Sequence, residues 1–78
     1  MDYDLWINNA IAKTDKLKQG TVFVLKDLFV GADWEKLDKG IRHNLGRQFK
    51  SKVIANSIKG VVLVTDSQKG KATTYKKI

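Results

Sequence analysis

Ile41, Leu45, Phe49 and Val53 recur every four residues. At about 100° per residue a helix gathers these four side chains on one arc roughly 120° wide. Such a stripe holds in water only when other elements cover it. In a chain of 78 residues, the remainder must therefore fold over this one helix. The expected span runs from Ile41 to about Asn56, after a turn at Lys39-Gly40. The core has to be apolar, because the chain has no cysteine for a disulfide and a single histidine, His43, that cannot build a zinc site alone. With 42% apolar residues a small core is within reach. Gly46 lies at the edge of the stripe. A mid-helix glycine costs about 1 kcal/mol against alanine, so its presence predicts a second helix passing close by.

The rest of the chain supplies covers for that stripe. Residues 3–17 place Tyr3, Trp6, Ile7, Ala10, Ile11, Thr14 and Leu17 on one arc, with Asp2 or Asp4 available as a cap and Gly20 as a stop. Leu5 falls on the polar side. Thr21–Leu25 is β-branched and aromatic, and is expected to form a short strand. Lys26–Val30 suits a helical turn, Gly31 is expected to break it, and Asp33 to cap a second piece holding Trp34 and Leu37. Val61–Thr65 and Lys71–Ile78 are expected to form a hairpin around Asp66-Ser67-Gln68-Lys69-Gly70. Helix, short strand, broken helix, long helix and hairpin is the element order of a winged helix-turn-helix. The expected fold is therefore α+β, with residues 1–78 as a single domain.

Charge divides this chain sharply. Residues 39–78 carry ten Lys and Arg against one carboxylate, Asp66, a balance of +9, whereas residues 1–38 carry five against seven, or −2. A one-sided positive field attracts polyanions and does little for folding, so nucleic acid is the first partner to consider. The longest apolar run, Val61–Val64, is far too short to span a bilayer. The N-terminus lacks a basic-then-apolar leader pattern. A soluble cytoplasmic protein without a membrane partner is the expectation.

In a helix-turn-helix module the last helix enters the major groove and reads base edges with forked donors and amides. Here the face opposite the apolar stripe presents Arg47 at its middle, His43 one turn before and Ser51 one turn after, with Asn44 beside them. These four are the expected base-edge residues of double-stranded DNA. Arg42, Lys50, Lys52, Lys69, Lys71 and Lys76 are the expected phosphate contacts, the hairpin tip acting as a wing. A basic helix face is often merely solvated, but ordinary surfaces mix both signs, and residues 39–65 hold no carboxylate. Ile54 also points outward, and with Leu5 it offers an apolar contact for a homodimer or for several copies along DNA. Tyr75 can pack beneath the wing or stack on a base. No enzymatic set emerges: there is no cysteine nucleophile and no phosphate-binding glycine loop, and capping explains the acids. The expectation is a non-enzymatic protein without cofactor or metal.

The stretch Phe23-Val24-Leu25-Lys26-Asp27-Leu28-Phe29, then Trp34, Leu37, Arg42, Leu45-Gly46-Arg47, Phe49 and Tyr75, resembles a family of small single-domain proteins from Gram-positive bacteria, their plasmids and phages, whose function is unassigned. The resemblance covers roughly residues 22–78. Its residues are chiefly core and turn positions, so it implies a fold and an origin in mobile elements, and no activity. Two functions from different classes remain: a small DNA-binding transcriptional or mobile-element regulator, and a protein-interaction module docking on an acidic host-protein surface. Single-stranded RNA, stacked on Tyr75, is a third.

Overall fold

The structure, a computed structural model, describes residues 2–65 and 73–78. Three helices, α1 (Tyr3–Thr14), α2 (Gly31–Glu35) and α3 (Lys39–Ile54), pack with three strands, β1 (Val22–Val24), β2 (Val61–Thr65) and β3 (Thr74–Lys77). A 3-10 turn, Leu25–Leu28, follows β1 directly. The class is α+β. The antiparallel sheet has the order β1-β3-β2, so β3 is central and pairs with both neighbours.

The Asp2 carboxylate starts α1 by accepting the Leu5 N–H at 3.0 Å. Asp4 in the first turn and Lys13 in the last complement the helix dipole. The helix ends at Thr14, three residues short of the expected Leu17. There the Thr14 hydroxyl, fully buried, donates to the Ile11 carbonyl at 2.6 Å. Single-turn bonds from the Lys16 and Leu17 amides carry the chain out of the helix.

Local expectations change between Leu25 and Gly40. The Asp27 carboxylate accepts the Val24 N–H at 3.1 Å and fixes the 3-10 turn. Gly31, expected to break a helix, instead opens α2, whose cap is Val30, so Asp33 lies in its first turn rather than ahead of it. Lys39 and Gly40, expected as a turn, are the first residues of α3, and Asp38 precedes them as cap.

The other end of α3 stops two residues early, at Ile54. Asn56 takes a left-handed φ of 58°. The Ser57 amide then bonds the Lys52 carbonyl at 2.9 Å, and the Asn56 amide the Val53 carbonyl at 3.1 Å. This is the double closure of a Schellman motif, and it turns the chain so that Ile58 enters the core.

The expected stripe is the centre of the molecule. Leu45, Phe49 and Val53 are buried, and Ile41 packs at the margin of the same core. Ile7 and Ala10 of α1 cover it on one side, Phe23, Val61 and Tyr75 of the sheet on another, and Leu25 and Leu28 close it. Tyr75 is buried, 1% exposed, which removes it as a platform for stacking a base. Phe23 and Phe49 are buried with it, while Tyr3, Trp6, Phe29 and Trp34 pack partly exposed around the core. The expected strand start at Lys71 and the loop 66–70, including Lys69, lie outside the described residues.

Among the described residues no helix crosses close to Gly46: a Cβ built there meets none of their atoms within 4 Å. Close packing is therefore not what the glycine serves. Gly46→Ala should raise the unfolding free energy by about 1 kcal/mol, the cost of a mid-helix glycine, read as a higher thermal midpoint. Asn56→Ala should act oppositely and lower it by about 1 kcal/mol, because alanine tolerates the left-handed region poorly.

Candidate nucleic-acid interface

Four rows of side chains run along α3 at four-residue spacing. Ile41, Leu45, Phe49 and Val53 face the core. Opposite them His43, Arg47 and Ser51 are all exposed. Between these lie two flanks: Arg42, Gly46 and Lys50 on one side, Asn44, Gln48 and Lys52 on the other.

Each flank lines an open groove. On the Asn44 side the walls are Asp4 from α1 with Asn44, Arg47, Gln48, Ser51 and Lys52. On the Gly46 side they are Arg42, His43, Gly46, Arg47, Lys50 and Thr73, the last leading into β3. A second concavity, lined by Val24, Leu25, Lys26, Trp34, Arg42, Gly46, Thr73 and Tyr75, shares Arg42, Gly46 and Thr73 with it. Arg47 lines the grooves on both flanks, and α3 brings it together with His43, Asn44, Ser51, Lys50 and Lys52.

Arg42 and Asn44, both expected contacts, are engaged within the fold. The Arg42 guanidinium donates from Nε to the Trp34 carbonyl at 3.2 Å and from Nη2 to the Glu35 carbonyl at 3.0 Å. It also lies 6.0 Å from the Trp34 ring centroid. Carbonyls at the end of a helix carry partial negative charge, so a forked cation there fastens α2 to α3. Trp34 in turn stacks on Phe29 at 5.5 Å and 13°, and Phe29 meets Trp6 of α1 at 5.1 Å. The Asn44 amide, exposed, donates to the Tyr3 hydroxyl at 3.3 Å and links α3 to α1.

Lys76 falls elsewhere. It is exposed on β3 and alternates with Tyr75, so it stands on the face of the sheet turned away from α3, with Val22 and Val62 opposite it in register. Lys69 and Lys71 lie outside the described residues. Sequence reasoning missed Gln48 and Thr73, which line the two grooves. The four-residue spacing from Asn44 could have found Gln48, but nothing local marks Thr73. Among the described residues no group of His, Asp and Glu is placed to hold a metal, and no helix is long and apolar enough to cross a membrane.

A family model, the domain of unknown function DUF1413, matches residues 8–77. The chain belongs to the DUF1413 family. The DUF1413 match begins at Asn8 and so takes in most of α1, more than the span from residue 22 that the motif suggests. No curated protein and no solved structure matches the chain.

The internal engagement of Arg42 has a measurable consequence. Two hydrogen bonds at about 1 kcal/mol each, with a small cation–π contribution, make Arg42→Ala destabilising by about 2 kcal/mol in a denaturant melt. Arg42→Lys should recover only part of this, since an ammonium cannot reproduce the fork.

Proposed function

We propose that this protein binds double-stranded DNA, with α3 in the major groove and the β2–β3 hairpin as a wing. The single observation that carries the reading is Arg47, exposed at the middle of α3 with His43 and Ser51 in its row and open grooves on both flanks. Further support comes from charge: residues 39–65 hold six Lys and Arg and no carboxylate. The sheet order β1-β3-β2, in which the first strand joins the far side of a hairpin, supports the winged helix-turn-helix form. On this reading Arg47, His43, Asn44 and Ser51 meet base edges, and Lys50 and Lys52 meet phosphates, joined by the wing lysines Lys69 and Lys71. Arg42 contributes chiefly by holding α2 against α3. A single domain of this size binds weakly alone, so two or more copies along the duplex fit the role of a small transcriptional regulator. An intracellular setting, on a plasmid or phage of a Gram-positive bacterium, suits both that role and the family.

The rival, a protein-interaction module, draws on one observation. Val22 and Val62 are exposed on the outer sheet face beside Lys76, an apolar patch with a cation suited to an acidic protein partner.

Titration of labelled duplex at several salt concentrations separates the two. With about four phosphate contacts, log affinity should fall against log salt with a slope near −0.9 per contact. Arg47→Glu combined with Lys50→Glu should abolish the binding. Absence of duplex binding even at about 50 mM salt would favour the protein partner.

A further inference from the structure

We infer that one sugar-phosphate strand of the bound duplex crosses α3 over Gly46, in the groove leading to Thr73, and not through the groove beside Asp4. This rests on the duplex-binding reading above and assigns a side to it.

The two flanks of α3 differ in charge and in shape. The Gly46 flank is lined by Lys26, Arg42, His43, Arg47 and Lys50, and no carboxylate of the described residues lines it. The opposite flank has Asp4 among its lining residues, together with Arg47 and Lys52. A phosphate entering there meets a like charge, and like-charge juxtaposition at an interface is strongly unfavourable.

Shape points the same way. Gly46 sits in the middle of a 16-residue helix, where glycine is costly. Nothing among the described residues requires it, since a Cβ would meet none of their atoms within 4 Å, and its φ lies outside the left-handed region that only glycine favours. That open space lies along the cationic groove, which Gly46 lines. A missing side chain there lets a backbone as bulky as a sugar-phosphate chain approach the helix closely.

The test uses a charge-matched pair in the full chain, Thr73→Glu against Gln48→Glu, with duplex affinity measured at one fixed salt concentration. Each adds one negative charge, at a half-buried position, on one flank only. Thr73→Glu should weaken binding about tenfold, and Gln48→Glu by less than about threefold. Gly46→Gln, which fills the groove, should also weaken binding about tenfold while its thermal midpoint stays at or above that of the wild type. Should Thr73→Glu unfold, the exposed Lys26→Glu reports on the same flank. Equal losses from the two flanks, or wild-type affinity in folded Gly46→Gln, overturn the assignment while leaving duplex binding intact. A wild-type protein that binds no duplex overturns the functional reading itself, and the inference with it.

Discussion

Tyr75 stands at the middle of the central strand, paired in register with Phe23 of β1 on one side and Leu63 of β2 on the other. Its ring meets the Phe23 ring at 5.8 Å and receives Phe49 of α3 edge-on, at 4.9 Å and 82°. Aromatic pairs in such geometries contribute about 0.5–1.5 kcal/mol beyond the area they bury. More important here is what they join. Phe49 belongs to the apolar row of α3, and Tyr75 to β3, the central strand, which pairs with β1 and β2. The contact sets how far the helix stands from the sheet and how it is rotated about its own axis.

That rotation decides every role on α3. Once Phe49 points at Tyr75, four-residue spacing sends His43, Arg47 and Ser51 to solvent and leaves the Arg42 and Asn44 rows as flanks. Arg42 then meets the end of α2, and Asn44 meets Tyr3. Thr73, which leads into β3 two residues before Tyr75, is carried to the Gly46 flank. The exposed row and its unlike grooves are thus consequences of one packing contact.

The period of α3 was legible because four apolar residues at fixed spacing admit a single reading, and the strands were legible from their β-branched runs. The junctions were not. Whether Gly31 ends one helix or begins another depends on the 3-10 turn that Asp27 fixes through the Val24 amide, and this bond involves a side chain ordinary in any loop. Arg42 looked like a surface cation, since nothing in sequence reveals the carbonyls of Trp34 and Glu35 nearby. Lys76 counted toward a single positive face in composition. Strand alternation, anchored by the burial of Tyr75, sends it to the other side of the sheet. Net charge reports how much positive potential exists, while the distribution over faces requires the register.

The two long helices contrast in how well local rules are met. In α1 the cap is bonded, the first turn holds an acid and the last a base, and each choice favours the helix. In α3 the cap makes no side-chain bond, and no acid stands in the first turn, where Lys39 adds a positive charge to the positive end of the dipole. Gly40 and Gly46 interrupt it, and Ile54 is left exposed at its end. A helix with so little local support forms because Leu45, Phe49 and Val53 are buried against the rest of the fold. Natural sequences break local rules mainly where function asks for it. In α3 the departures are a surplus of positive charge and the absence of a side chain along a groove. Neither improves packing among the described residues, since none of their atoms lies within 4 Å of a Cβ at Gly46, and both favour the approach of a large anion. The arrangement follows physically if the core-facing row serves the fold and the remaining rows answer to a partner.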